Sequence, residues 1–424
     1  MKNAMTPETT WLARLYRAAP FLAPAPDRWL VIALAALFFL FPMSKTIYSL
    51  PLLAVIVLAF VQGHPSQWWE RLRQTPLLWL PLALYVLILL HAPMSPADPS
   101  AIQEHLRKYA RLVFLVLIFL VLVGHERRQR IALNAFSAAM AITVILTWAR
   151  VFWPHPRLGG PGQAIFGDYI TQNIMVAFFT LVAFQRARQS SGRWGRIAWS
   201  LLVVLAVASI THQSVGRTGQ VLLFAAWASY IVLTLRGTRL MAALVCLALA
   251  AMIAYASSDH LRSRFQLAVT EARNAEADPF SSIGHRLHNY KTTPRMIAQK
   301  PLLGYGTGAF HKEICRFLDK PETCPVYERH PHNQFLFFAA DHGLLGAALY
   351  LAFVVGLFVT AIRSQAPLSS RVLLFAFGTL LLINSLINSP LYSSRESQFF
   401  AFIGAVLIAM NRGLSGPSRQ AGPS

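Results

Sequence analysis

Apolar runs of about 16 to 20 residues recur along most of the chain and alternate with short polar segments. Runs of this length are typical of helices that cross a membrane. The pattern predicts an all-α polytopic membrane protein with about twelve transmembrane helices, and one large helical loop between helices 9 and 10. The helices lie near residues 28–43, 46–62, 76–92, 109–123, 131–153, 169–185, 197–211, 218–235, 239–256, 343–362, 371–389 and 397–411.

The large loop, residues 257–331, is the longest polar segment of the chain. His260–Glu276 has the pattern of a weakly amphipathic helix, with one face made of Leu261, Phe265, Ala268 and Ala272. Further along, we predict a helix that starts near Ser281, a glycine-rich tight turn at Pro301–Gly308, and a helix from about 309 to 318.

Charge orients the predicted helices. Only 13% of the 424 residues are charged, where a soluble domain carries roughly 25%. With the N-terminus in the cytoplasm, nineteen lysines and arginines fall in cytoplasmic segments and eight in the short segments opposite. Because basic residues favour the cytoplasmic side, we expect both termini there and residues 257–331 on the other side. This bias also explains most of the net charge of +21 without any nucleic acid partner.

The chain therefore divides into five parts. We predict a cytoplasmic N-terminal segment at 1–27, transmembrane helices 1–9 at 28–256, the loop domain at 257–331, helices 10–12 at 332–411, and a cytoplasmic tail at 412–424. The tail is rich in glycine, serine and proline, which is typical of disorder.

The polar stretch Arg329–Gln334 joins the loop to helix 10. Pro331 disfavours helical geometry at His330, so His332 and Asn333 are expected to begin a new helix. A neutral imidazole there can accept a proton, and Asn333 can hold a ring or a ligand by hydrogen bonds. The alternative is that both histidines are simply polar residues at a membrane surface.

Two arginines could bind an anion. Arg217 begins helix 8 between Gly216 and Gly219, and a helix N-terminus with an arginine fork suits a phosphate oxygen. Arg286 could be a second phosphate ligand. The alternatives are a snorkelling anchor for the first and a solvated loop residue for the second. His285 and His288 could suggest a metal, but without a metal-binding motif we predict no metal site.

Three cysteines are present. Cys246 falls inside predicted helix 9, where we expect it to be packed. Cys315 and Cys324 lie nine positions apart in the extracytoplasmic loop, and an oxidising compartment favours a disulfide between them over two free thiols.

Three motifs, taken in order, resemble the O-antigen ligase/polymerase superfamily, and most closely the O-antigen ligases of the WaaL type. Asp341 stands where many relatives carry glutamate, so the carboxylate is kept. The motifs cover roughly residues 210–350; they are Ser214–Gly219 with its arginine, Arg286 followed by Lys300–Gly306, and His332-Asn333 ahead of Gly343–Gly346.

The resemblance implies a GT-C-like, multi-pass protein of the bacterial inner membrane with its active site facing the periplasm. It would be an inverting, metal-independent glycosyltransferase of lipopolysaccharide biosynthesis, without a cofactor. Its partners would be an undecaprenyl-pyrophosphate-linked glycan donor, a lipid A–core oligosaccharide acceptor, and membrane lipids. The enzyme would move O-antigen polysaccharide from the donor to the acceptor.

The resemblance also assigns roles to residues. His332 would be the catalytic base, Arg217 and Arg286 would bind the pyrophosphate, and His330 and Asn333 would support them. An O-antigen polymerase or a protein O-oligosaccharyltransferase of the same superfamily remains an alternative, because only the acceptor differs. A lipid or sugar transporter is disfavoured, because the predicted helices hold few of the paired charges that transport needs.

Overall fold

The computed structural model describes residues 26–63, 65–155, 162–318, 324 and 330–412. The predictions for residues 1–25 and 413–424 therefore lie outside the described residues. Within the described ranges the chain is helical and has no strand, apart from an isolated bridge between Gly162 and Ser214.

The described helices are listed here in chain order. They are α1 (Pro26–Leu40), α2 (Ser49–Gln62), α3 (Pro65–Arg73), α4 (Trp79–His91), α5 (Pro99–Tyr109), α6 (Arg111–Leu122), α7 (Glu126–Phe152), α8 (Tyr169–Gln189), α9 (Arg193–Ala208), α10 (Arg217–Thr234), α11 (Gly237–Ser257), α12 (Asp259–Arg273), α13 (Ser282–Gln299), α14 (Phe310–Ile314), α15 (Gln334–Arg363), α16 (Leu368–Ile387) and α17 (Ser394–Asn411).

Every predicted apolar run contains one of these helices. Five helices of the described chain are long and apolar enough to cross a membrane: α7, α9 with its π-helical end, α11, α15 and α16. The number rises to six if α2 and α3, which are bent by 105°, form one span. Others are short; α6, for example, has 12 residues. The all-helical architecture is thus confirmed, while the number of twelve crossings stays a prediction.

Hydrogen bonds between connections define two ends of the bundle. At one end, which we call the loop end, Arg395 donates to the carbonyl oxygens of Met43 and Phe166, and Thr307 donates to that of Ile88. At the other, which we call the turn end, Gln185 donates to Ser369 O and Ser364 donates to Asn411 O. The described residues between α11 and α15 lie at the loop end.

The innermost and outermost helices differ in burial. Nearly every side chain of α17 is buried, and its phenylalanines pack against rings of α1, α7 and α16. No residue of α11 is buried, although this helix is highly apolar. Cys246 lies on α11 and is exposed, so the prediction that it is packed is wrong.

The α12 helix forms as expected but turns a different face to the protein. Its least exposed residues are Leu261, Arg264, Ala268 and Glu271, while Phe265 is 58% exposed. The predicted face with Phe265 and Ala272 is therefore wrong. Phe265 instead contacts the ring of Tyr255 at the end of α11, with centroids 5.7 Å apart. The protein-facing side of α12 includes Arg264 and Glu271, which bond to Val215 O and to Arg217.

A break in α15 receives the predicted glycine-rich turn. Gly343 has φ 68°, which interrupts the helix, and a Cβ there would overlap the carbonyl of Leu302. Backbone N–H groups of Tyr305 and Gly306 donate to carbonyl oxygens freed at the break. The carboxylate of Asp341 accepts from Gly308 N at 3.1 Å and from Phe310 N at 2.9 Å. The turn is therefore docked into α15 and holds the loop against the bundle.

Candidate functional site

The α13 helix brings Arg286 to the loop end. Ser281 caps it, because its Oγ accepts from Gly284 N at 3.1 Å. The buried side of the helix follows helical spacing and includes His285 and Asn289. Arg286 lies next to that side, and Tyr290 lies four positions further along the same stripe.

His332 has an unusual backbone. Its φ of 54° makes it the only non-glycine residue with positive φ in the described part of the chain. Such a conformation costs roughly 1–2 kcal/mol and persists only where the surroundings impose it. Here His332 N donates to His330 Nδ1 at 3.3 Å, and the Tyr290 hydroxyl donates to His332 O at 3.1 Å. The backbone of His332 is therefore held from both sides.

Rings of three histidines meet at this point. The ring of His332 lies edge-to-face against those of His330 and His285, with centroids 4.4 and 5.3 Å apart. His330 also packs near the ring of Tyr392, at 5.6 Å. Among the described residues, no group of three or more His, Cys, Asp or Glu side chains could hold a metal ion.

Asn333 ends the irregular segment and begins α15. Its Oδ1 accepts from Phe335 N at 3.0 Å and from Leu336 N at 3.1 Å, which is an N-cap. Its Nδ2 donates to Leu386 O at the end of α16. The prediction that a helix begins here is thus confirmed. Asn333 caps this helix, and His332 lies just before the cap, outside the helix.

Tyr290 connects Arg286 to this segment, a contact that the sequence reasoning missed. Its hydroxyl contacts the backbone carbonyls of both His332 and Leu386. Burial raises the pKa of Tyr290, while the cation of Arg286 and a hydrogen bond with Asn333 partly oppose the rise. Arg286, His332 and Asn333 therefore belong to one local arrangement. The signal in the sequence was the four-residue spacing of Arg286 and Tyr290.

Arg217 lies at the first position of α10, where the backbone is tightly packed. Cβ atoms at Gly216 and Gly219 would clash with the side chain of Asn173, which also donates to Ser214 Oγ. The Nη2 of Arg217 is 3.1 Å from Oε2 of Glu271 on α12. The contacts of Arg217 thus lead to α12, whereas those of Arg286 lead to the histidines.

Lys108 adds a cation from outside the loop. Its Nζ lies 3.4 Å from the centroid of the Tyr392 ring and 2.9 Å from Oε1 of Glu104. Lys108 is thus joined through Tyr392 to His330. Sequence reasoning did not find it, because only the tertiary structure brings α5 to this loop.

The loop also contains the expected disulfide. Cys315, just after α14, is bonded to Cys324, and their Cα atoms are 5.3 Å apart. The loop therefore has two fixed points, this bridge and the turn docked at Gly343.

Comparison with known proteins finds one family match within the chain. A family model described as O-antigen ligase matches residues 201–351, which include Arg217, Arg286, His332 and Asn333. No curated protein matches the chain. The match confirms the resemblance predicted from the three motifs, and together with the apolar helices it indicates a multi-pass membrane protein.

Proposed function

We propose that this O-antigen ligase-family protein transfers O-antigen polysaccharide from undecaprenyl pyrophosphate to the lipid A–core oligosaccharide, as an inverting, metal-independent glycosyltransferase. The observation that carries the proposal is the imposed geometry of His332. A strained backbone that neighbouring side chains hold in place is the kind of arrangement found at functional sites. It lies within the matched region, in the segment that the motif order singles out.

The chemistry follows from the residue types. The acceptor hydroxyl oxygen forms a bond to the anomeric carbon of the donor, and the bond from that carbon to the phosphate oxygen breaks. His332 accepts the hydroxyl proton, and the electron pair leaves with the lipid pyrophosphate. Arg217 and Arg286 stabilise the charge that develops on the leaving group. A single direct attack inverts the anomeric centre.

His330 and Asn333 have supporting roles in this proposal. The Nδ1 of His330 accepts from His332 N, and Asn333 fixes the start of α15 directly after His332. The first contact acts on the backbone of His332 and the second on the helix turn that directly follows it. Together they set where the imidazole of His332 lies relative to the acceptor. We therefore treat them as positioning residues.

The site would face the periplasm of a bacterial inner membrane. Arginines collect at the turn end, including Arg71, Arg128, Arg186 and Arg371, and such residues favour the cytoplasm. The loop end carries the disulfide, which suits an oxidising compartment. Both observations support the same orientation.

A transfer assay tests the proposal. The full-length protein in liposomes receives a lipid-linked glycan donor and a lipid A–core acceptor, without ATP, an ion gradient or added metal. We expect polysaccharide to appear on the lipid A–core. Lengthening of the donor glycan alone would instead identify a polymerase, and transfer to protein would identify a protein O-oligosaccharyltransferase. Movement of the lipid across the bilayer without any glycan product would identify a transporter.

A further inference from the structure

The segment before α10 is bound by charged side chains of α12. The Nε of Arg264 donates to Val215 O at 2.9 Å, and Glu271 accepts from Arg217. These two residues are seven positions apart, so they lie on one face of the helix. Ser258, just before α12, donates to Thr211 O at 2.7 Å. Three contacts thus hold α12 against the residues that lead into α10.

The pair between Arg217 and Glu271 is largely shielded from solvent. The side chains are 23% and 13% exposed, so the pair is not an ordinary surface ion pair. Only one terminal nitrogen of the guanidinium is engaged by Glu271. The other, Nη1, is buried and has no hydrogen-bond partner among the described residues.

A second donor lies on the same face of α10. Gln220 is 5% exposed, and its Nε2 is also buried without a hydrogen-bond partner in the described part of the chain. Residues three apart on a helix are neighbours, so Gln220 follows Arg217 along one stripe. Buried donors are normally satisfied, so a ligand with several acceptor oxygens would provide partners for both of these donors. The other side of this turn is closed by Asn173 against Gly219.

We propose that Glu271 is a positioning residue for the reaction. It holds Arg217 by Nη2, so that Nη1 is presented to the oxygens of the lipid pyrophosphate. The inference rests on the proposed function, because it takes that pyrophosphate as the ligand of Arg217. Glu271 itself does not touch the reacting atoms. The Glu271 carboxylate has two opposing effects on pyrophosphate binding. It fixes the long side chain of Arg217, which would otherwise lose rotamer freedom on binding, and it places a negative charge near the anion.

These two effects separate in different variants. Glu271→Ala removes the support, and we expect the KM for the donor to rise about tenfold with little change in kcat. Glu271→Gln keeps an oxygen that accepts from Nη2 but removes the charge, so its KM should stay at or below that of the wild type. Glu271→Asp keeps the charge but is one methylene too short, so it should behave like the alanine variant.

The experiment measures donor KM and kcat for these variants of the full-length protein at a fixed acceptor concentration. Glu276→Ala is the matched control, because Glu276 lies in the same loop but pairs with Lys291 at the exposed surface. Thermal unfolding shows which variants are folded, and Glu271→Gln and Glu271→Asp carry the test if the alanine variant is not. An unchanged KM in the alanine and aspartate variants, or a glutamine variant as impaired as they are, would overturn the inference.

A binding measurement separates this inference from the proposed function. Undecaprenyl pyrophosphate in nanodiscs is titrated with the wild type, Arg217→Ala and Glu271→Ala. We expect tight binding by the wild type, loss of most binding in Arg217→Ala, and about tenfold weaker binding in Glu271→Ala. If Arg217→Ala binds like the wild type, the pyrophosphate role of that arginine fails. If only Glu271→Ala binds like the wild type, the positioning role alone fails.

Discussion

The two ends of the bundle use charged side chains in different ways. At the turn end, arginines reach backbone carbonyl oxygens in the last turns of helices: Arg71 donates to Leu120 O and Arg371 to Ala361 O. The last carbonyls of a helix lack partners within it, and cations are favoured there. The arginines at this end thus satisfy carbonyl groups at helix C-termini.

At the loop end, two neighbouring charged residues, Arg395 and Glu396, are buried and have several specific partners. Glu396 is 3% exposed and accepts from Asn384 at 2.8 Å and from Asn388 at 3.0 Å, while buried Arg395 donates to backbone carbonyls. Taking such groups out of water is costly unless each is paired. The two ends therefore use charge differently: arginines at the turn end bond to helix C-termini, whereas Arg395 and Glu396 at the loop end are buried among several partners.

The sharpest test of this difference replaces one histidine at each end. His332→Ala should lose about 10²–10⁴-fold in transfer rate, because it removes the proposed general base. His125→Ala, at the turn end, should transfer glycan at the rate of the wild type. Initial rates from the liposome assay measure both, with chelator added in a parallel reaction that should change nothing. A normal rate in His332→Ala, or inhibition by chelator that a divalent metal reverses, would contradict the proposed mechanism.

Substitutions of arginines at the two ends should give the next largest difference in transfer activity. Arg217→Ala and Arg286→Ala should each lose at least about tenfold in transfer, because each removes charge-assisted hydrogen bonds to the leaving pyrophosphate. Lysine at either position should restore activity only in part, since it lacks the planar fork. Arg71→Ala at the turn end is the control and should remain active. The pyrophosphate role is wrong if both loop-end variants match that control.

Alanine substitutions at two glycines, one at each end, test differences in stability rather than in activity. Gly343→Ala puts a Cβ into the carbonyl of Leu302 at a left-handed position, and should cost about 1–3 kcal/mol of stability. A Cβ at Gly195, near the turn end, would meet only Ser190 Oγ at 3.5 Å, so Gly195→Ala should be tolerated. Thermal unfolding in detergent measures both. Equal unfolding temperatures would show that the docked turn does not stabilise the fold.

Single cysteine substitutions, which should perturb the protein least, test its orientation in the membrane. In a Cys246→Ser background, a cysteine placed at exposed Gln299 of the loop end should react with an impermeant thiol reagent in intact spheroplasts. A cysteine at exposed Ser191 of the turn end should react only after lysis. The reverse pattern would invert the proposed topology. The native cysteines Cys315 and Cys324 should stay unlabelled, because they are bonded.

The amino-acid pattern alone was enough to place the helices and to find the segment that matches the family model. Apolar run length located a helix in every predicted span, because a helix that crosses a membrane must satisfy its own backbone. The ordered motifs that contain Arg217, Arg286 and His332 all fall within the region that the family model matches. The start of α13 after Ser281 followed from its capping residue.

Only the tertiary structure decided how these elements face one another. A lipid-facing surface is as apolar as a protein core, so the hydrophobic pattern does not say which side of a helix packs. This is why Cys246 was predicted to be packed and is exposed. The left-handed backbone of His332, the pairing of Arg217 with Glu271 and the approach of Lys108 to Tyr392 depend on contacts between distant segments. Local propensity does not encode such contacts, because their free energy comes from partners that the chain brings together only on folding.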